Sequence, residues 1–225
     1  MTGSVQATAR GALPQHEEFL SRVARWIQSH RQATVYLTVG FAVAALVVVW
    51  SVWSGRQSEV RAADQLAQAR FALESENLPL AASEFASIAA NYSGTRAADE
   101  ATVLLARVRL MQGQSEQAVT VLRDFAPGAS RLHRAQALSL LGAAYENLGR
   151  WADAADAYQK ASGAALWPFL EAQLLLDAAR DWAAAGDTAK AVANYSRIVK
   201  EFPETGPIVE AKVRLGELTK GAGTP

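Results

Sequence analysis

The feature that most constrains this chain is an apolar run from Thr34 to Trp53, twenty residues without a charged side chain. An α-helix rises about 1.5 Å per residue, so the uncharged stretch that begins at Ala33 would extend roughly 31 Å, close to the roughly 30 Å hydrocarbon thickness of a bilayer. Apolar side chains point in every helical direction, which leaves no polar face for water. Trp50 and Trp53 are aromatic side chains of the kind that settle at headgroup depth. The run therefore predicts one transmembrane helix over residues 33–54.

Two other structures for this run are less favourable. A cleavable signal peptide has an apolar region of about 7 to 15 residues behind a short leader, whereas this run is longer and follows residues 1–32. A buried core helix needs a large domain around it, which the preceding residues are too few to supply. We therefore expect an uncleaved signal anchor.

The leader, residues 1–32, contains apolar residues at helical spacing. They are Phe19, Leu20, Val23, Trp26 and Ile27. This spacing predicts an amphipathic helix, which either lies on the inner membrane surface, docks on a membrane partner, or simply extends the anchor.

Arginines on both sides of the apolar run indicate its orientation. Arg22, Arg25 and Arg31 precede the run, and Arg56 and Arg61 follow it. Positive charge is enriched on the cytoplasmic side of membrane helices, and long domains translocate largely regardless of charge. This bias predicts a cytoplasmic N-terminus and an exported C-terminal domain, residues 55–225.

The C-terminal domain has a repeat of nearly constant length. Its short turns align at Glu76, Gly113, Gly149 and Gly186, separated by 37, 36 and 37 residues. Each turn is followed after five residues by an alanine and after nine by a large apolar residue: Ala81 and Phe85, Ala118 and Leu122, Ala154 and Tyr158, Ala191 and Tyr195. This period predicts a stack of helix-turn-helix pairs, an all-α solenoid in which the small alanines let paired helices approach closely.

Two of these units resemble the tetratricopeptide repeat. They are "ALSLLGAAYENLGRWADAADAYQKA" and "LLLDAARDWAAAGDTAKAVANYSRIVKEFP". The matching positions are Leu138, Leu141, Gly142, Tyr145, Gly149, Ala154, Tyr158 and Ala161 in the first, and Leu175, Ala179, Trp182, Gly186, Ala191, Tyr195 and Pro203 in the second. The resemblance implies about four helix pairs and a C-terminal capping helix, near residues 62–98, 99–134, 135–171, 172–205 and 206–220. In the first unit "ENLP" replaces the glycine turn.

The layout as a whole resembles the YfgM-type ancillary subunits of the bacterial SecYEG translocon. It shares with them a short leader, one signal anchor and a divergent array of this repeat. The resemblance implies a single-pass protein of the bacterial inner membrane, with its repeat domain in the periplasm. Its implied partners are proteins: translocon subunits, chaperones or exported clients.

Composition and motifs argue against several other classes. The 22 basic and 22 acidic residues balance, whereas a nucleic-acid partner requires a dense basic surface. The chain has no cysteine, its histidines (His16, His30 and His133) are not at ligand spacing, and no phosphate loop or nucleophile elbow occurs. We therefore expect no catalytic residue, no metal and no cofactor.

Candidate binding residues follow from the resemblance, which implies that the first helix of each repeat lines a peptide-binding groove. The positions are Val103, Arg107, Ser139, Ala143, Leu176 and Arg180. They depart from the carboxylate-clamp pattern, which needs Lys and Asn at such sites. A groove containing Arg107 and Arg180 would suit an acidic or amphipathic peptide. Alternatively, both arginines merely extend over neighbouring helices.

Three functions remain compatible with these patterns. The first is a membrane-anchored scaffold at the secretory translocon and its periplasmic chaperones. The second is an envelope or cell-division scaffold of the same architecture. The third reverses the topology and makes the array a cytosol-facing receptor on a membrane.

Overall fold

The structure is a computed structural model that describes Trp26 and residues 31–219. The described part is helical and contains no strand, which confirms the all-α prediction. The chain divides into two compact units, Met1–Gly55 and Arg56–Pro225, and each is considered by itself. Apart from Trp26, the predicted amphipathic helix of the leader lies outside the described residues.

Nine helices make up residues 31–219. They are α1 (Arg31–Glu74), α2 (Leu78–Asn91), α3 (Arg96–Met111), α4 (Ser115–Phe125), α5 (Arg131–Asn147), α6 (Trp151–Ala164), α7 (Pro168–Ala184), α8 (Thr188–Glu201) and α9 (Ile208–Thr219). The C-terminal part of α1 pairs with α2, α3 with α4, α5 with α6, and α7 with α8. These four pairs and the terminal helix α9 have the architecture that the repeat predicted.

The apolar run lies within α1. By length and composition, Thr38–Glu74 could cross a membrane: an 18-residue window of it has a mean hydropathy of 1.8, and none of that window is buried. The sequence predicted an anchor ending near residue 54 and a first repeat starting near residue 62, whereas the structure has one helix through both. The intervening "GRQSEVR" contains no proline and is rich in helix-forming residues, so nothing in it ends the helix.

The turns inside the four pairs share one backbone conformation. Gly113, Gly149 and Gly186 have φ values of 73°, 68° and 85°, and Glu76 has φ 57°. The residue after each turn donates its N–H to a carbonyl five residues earlier, for example Arg150 to Tyr145 at 2.9 Å. This pattern is the Schellman motif, which requires a left-handed residue and therefore favours glycine. The four predicted turns are thus confirmed. Glu76 adopts the same left-handed conformation as the three glycines although it carries a side chain.

The repeated alanines and large apolar residues form the core between helices. All eight predicted positions are buried: Ala81, Ala118, Ala154, Ala191, Phe85, Leu122, Tyr158 and Tyr195. A Cβ added to Gly142 would lie 2.7 Å from the ring of Tyr158, so α5 and α6 approach closely at this glycine. At the end of the stack, α9 buries Ala211 and Leu215 against the last pair, as a capping helix should.

Helix capping shows how neighbouring pairs are joined. Thr95 accepts a hydrogen bond from the N–H of Ala98 at the start of α3. Glu59, on α1, accepts from the N–H groups of Arg96 and Ala97 at 2.9 and 3.2 Å. These carboxylate contacts satisfy free donors at the start of α3 and connect the first pair to the second.

The turn of the first pair yields a stability prediction. Glu76→Gly should raise the free energy of unfolding by about 0.5–1 kcal/mol, because glycine adopts the left-handed conformation without the steric cost of a side chain. Gly149→Ala should lower it by about 1 kcal/mol at the equivalent turn. Chemical denaturation measures both variants, and a shift in the same direction for both would contradict the shared turn geometry.

The alanine positions yield a second prediction. Ala191→Leu should lower the free energy of unfolding by about 1–3 kcal/mol, because the added atoms overpack the contact between α7 and α8. Ala193→Leu is the matched control, since Ala193 is exposed on the same helix, and it should change stability by less than about 0.5 kcal/mol. Equal melting temperatures for the two variants would be incompatible with close packing at Ala191.

Candidate binding surface

The six predicted groove residues lie on the first helices of the last three pairs. Val103 and Arg107 are on α3, Ser139 and Ala143 on α5, and Leu176 and Arg180 on α7. Val103 is only 5% exposed and Leu176 only 3%, so neither side chain is available to a ligand. The prediction is wrong for these two, because α3 and α7 are packed between neighbouring helices and bury more than one face.

The four other predicted residues reach the surface. Ser139 and Ala143 are half-buried on α5, and Arg107 and Arg180 are exposed. Arg107 has no carboxylate within 4.0 Å among the described residues. Arg180, by contrast, forms an ion pair with Asp177 one turn earlier on α7. Of the two predicted arginines, Arg107 is therefore the one that no carboxylate among the described residues pairs with.

A cluster of carboxyl groups surrounds Arg180. Asp177 and Asp181 lie one turn apart on α7, Glu146 lies in the last turn of α5, and Tyr158 lies on α6. The Tyr158 hydroxyl donates to Oε2 of Glu146 at 3.1 Å. We call Glu146, Asp177 and Asp181 the carboxyl cluster. It joins the third helix pair to the fourth.

Burial changes the ionisation of this cluster. Asp181 is 4% exposed, and its Oδ2 has no hydrogen-bond partner. Burial, followed by the neighbouring charge of Glu146, raises the pKa of Asp181 to about 7. Burial also raises the pKa of Asp177, although Arg180 and Gln173 oppose this shift. Near neutral pH, Asp181 is therefore partly protonated.

The cluster corrects the expectation for Arg180. The sequence predicts that Arg180 either binds an acidic or amphipathic peptide or merely extends over neighbouring helices, whereas in the structure Asp177 already neutralises it and Glu146 adds further negative charge. Asp177 therefore competes with any acidic ligand for Arg180. The four-residue spacing of Asp177 and Asp181 was a signal that they share one face of α7.

Recesses in the described part of the stack include two beside α5 and α7, the first helices of the last two pairs. One, of about 310 Å³, lies between α7, α8 and α9 and includes Arg180, Tyr195 and Arg214. The other, of about 490 Å³, lies between α4, α5 and α6, has Leu138 and Leu141 in its lining, and has three cations around it: Arg123, Arg134 and Lys160. The sequence did not predict either recess, because each is formed by side chains from three helices.

The cations of the larger recess differ in their partners. Arg134 donates to the carbonyls of Ala126 and Ala129 at 3.2 and 2.9 Å, which ties the end of α4 to α5. Lys160 is paired with Asp156 at 2.5 Å. Arg123 has no hydrogen-bond or ion-pair partner among residues 31–219. Of the three, only Arg123 is therefore available to pair with a ligand.

The described residues contain no group of three or more histidine, cysteine, aspartate or glutamate side chains that could hold a metal ion. The carboxyl cluster is accordingly a set of interacting acids within the stack. Glu146 and Asp177 are its half-buried members, whereas Asp181 is buried.

Sequence comparison assigns the family. Residues 54–166, half of the chain, match the family described as tetratricopeptide repeat-like domain. The chain belongs to this family. Residues 173–205 match the tetratricopeptide repeat itself. The two matches cover all four helix pairs of this tetratricopeptide repeat-like protein, including the first, whose turn lacks glycine. No curated protein matches the chain.

Solved structures agree with this fold. A Podosopora anserina protein described as a kinesin light chain with nearly identical TPR-like repeats has a TM-score of 0.54 and 17% identity, over 72% of this chain and 87% of that chain. The crystal structure of MamA protein has a TM-score of 0.55 and 17% identity, over 72% of this chain and 83% of its own. At this identity the likeness concerns the fold alone. Such stacks of repeats are typically binding surfaces for other proteins.

Asp181 yields a prediction for pH dependence. Its pKa of about 7 in the folded chain exceeds the ordinary value of 3.8, so the folded chain binds the proton more tightly than the unfolded chain. This contribution to stability is fully present below about pH 4 and is lost as the pH rises through about 7. Asp181→Asn should therefore reduce the change in melting temperature between pH 4.5 and 8. At pH 8 its melting temperature should be higher than that of the parent chain.

Asp156→Asn is the control for this measurement, because Asp156 is exposed and paired with Lys160 outside the cluster. Circular dichroism melting of both variants and the parent chain provides the comparison. If the melting temperature of Asp181→Asn changes with pH as steeply as that of the parent chain, the pH effect assigned to Asp181 is contradicted.

Proposed function

We propose that this protein is a membrane-anchored scaffold for protein–protein interaction, with α1 as its anchor. One observation carries the anchoring. A window of α1 with mean hydropathy 1.8 has no buried residue, although a core helix of that composition would be covered by its own domain. Exposing apolar surface to water costs about 25 cal/mol per Å², so a helix that is apolar all round requires another medium. Lipid of matching thickness is that medium.

The repeat stack is the binding part of the proposed scaffold. Its first helices carry groups of opposite character: Arg107 on α3 lacks an acidic partner, whereas the carboxyl cluster lies between α5 and α7. A bound segment with an acidic group near α3 and a basic group near α7 would match both. Charge-assisted contacts of this kind contribute about 1.5–3 kcal/mol each.

The proposed location is the bacterial inner membrane, with the N-terminus in the cytoplasm and the stack in the periplasm. The arginine bias around the apolar run supports this direction. The resemblance in layout to the YfgM-type subunits supports translocon subunits, periplasmic chaperones or exported clients as partners. A scaffold of this kind would hold emerging chains near the proteins that receive them.

Membrane extraction tests the anchor. The full-length protein should remain in the membrane pellet at alkaline pH and require detergent for release. Leu46→Arg with Val48→Arg should abolish this retention, since each arginine costs about 2.5–3.5 kcal/mol at the centre of a membrane helix. The control pair Gln57→Arg with Gln68→Arg, which lies beyond Trp53, should remain in the pellet. A parent protein that is soluble without detergent would refute the anchor.

Topology and partners require two further measurements. Protease added to spheroplasts should digest the stack, whereas complete protection would indicate the cytosol-facing receptor. Crosslinking in intact membranes should then recover translocon subunits or chaperones with the parent protein. Recovery of only envelope or cell-division proteins would assign the scaffold to that machinery instead.

A further inference from the structure

The repeat unit, residues 56–225, begins at one edge of the helix stack. Glu59 lies near the first residue of this unit, Arg56, and accepts hydrogen bonds from the N–H groups of Arg96 and Ala97, which open α3. The start of α3 is therefore beside the start of the unit. We call the surface formed by this point, the starts of α3, α5 and α7, and the ends of α4 and α6 the start edge.

Contacts between side chains extend this edge along the stack. Asp99, in the first turn of α3, lies 3.4 Å from Nδ1 of His133 in the first turn of α5. Arg131, the first residue of α5, donates to the carbonyls of Ala164 and Ala165 at 3.3 and 2.9 Å. The end of α6 is thus linked, through the starts of α5 and α3, to the first residues of the unit.

An apolar patch lies on this edge between α6 and α7. Leu166 is 44% exposed, Trp167 49% and Phe169 61%. The rings of Trp167 and Phe169 are stacked, with centroids 6.3 Å apart and an interplanar angle of 20°. Leu132, at the start of α5, is also exposed. Single exposed apolar side chains are common, but a stacked aromatic pair that follows the exposed Leu166 forms a continuous apolar surface.

Arginine side chains lie on the same edge as this patch. Arg96 and Arg131 are exposed at the starts of α3 and α5, and Arg56 lies at the first residue of the unit. Three carboxylates on this edge are in contact with protein groups: Glu59 with backbone N–H groups, Asp99 with His133, and Glu171, in the first turn of α7, with Arg197. Aromatic rings combined with arginines form the side-chain set that binds the headgroup region of anionic bilayers.

We propose that the start edge of the repeat unit rests on the lipid surface, with Leu166, Trp167 and Phe169 inserted among the headgroups. This inference rests on the proposed membrane anchoring. Only Ser54 and Gly55 separate Trp53, at the end of the apolar run, from Arg56, so the start edge begins within a few residues of the bilayer. The contact is centred on the connection between α6 and α7, because the last residue of α8, Glu201, and the connection after it, which contains Glu204, are acidic.

The absence of cysteine permits a site-specific test. Leu166→Cys places one environment-sensitive NBD label on the patch of the full-length chain. Trp151→Cys is the matched control: residue 151 is also exposed but begins α6, about 20 Å along the helix from its end at Ala164. Both labelled proteins are reconstituted in phosphatidylcholine and phosphatidylglycerol vesicles, with and without lipids that carry a doxyl quencher near the headgroup.

The label at residue 166 should be quenched several-fold more strongly than the label at residue 151. Adding Trp167→Glu and Phe169→Glu should reduce that quenching while the helical circular dichroism stays unchanged. Equal quenching at both sites in protein that floats with the vesicles would overturn the lipid contact alone. Blue-shifted emission at residue 166 without quenching would assign the patch to a second copy of the chain and would also overturn it. Protein that fails to float with the vesicles would refute the anchor itself.

Discussion

The repeat unit depends on the close approach of its paired helices at four alanines. Ala81, Ala118, Ala154 and Ala191 are fully buried, and a residue with a longer side chain would separate the helices that meet there. The large side chains one turn later then fill the space toward the next pair. Because every pair is covered by its neighbours on this plan, stability resides in the interfaces, and the last interface needs α9 to cover it.

Charge is distributed unevenly along this otherwise uniform stack. The interface between the third and fourth pairs contains three carboxyl groups and a tyrosine, with Asp181 almost completely buried. A buried, incompletely partnered acid is unfavourable when ionised, and protonation relieves that cost. The fourth pair therefore combines a structural role with sensitivity to pH.

The proposed anchor and the stack make different demands on α1. Its apolar part exposes its side chains, while its C-terminal part buries Ala62, Leu66 and Ala69 in the first core cluster. The same helical backbone serves both parts because no proline interrupts the residues between them. Whatever medium covers the apolar part, Glu59 engages the start of α3 a few residues later. The hydrogen bonds of Glu59 thus fix the position of α3 at the beginning of the start edge.

The sequence alone determined the fold class, the four turns, and the alanine and ring positions, because these features recur with the repeat and depend on local backbone and side-chain size. It also located the apolar run by its length. It placed only part of the candidate surface, since Val103 and Leu176 are hidden by helices distant in sequence. Only the tertiary structure decided that Arg180 is paired, that Glu146 meets Asp181 and that Trp167 lies on the same edge as Glu59. Such meetings depend on how successive pairs stack, and no single repeat encodes that arrangement.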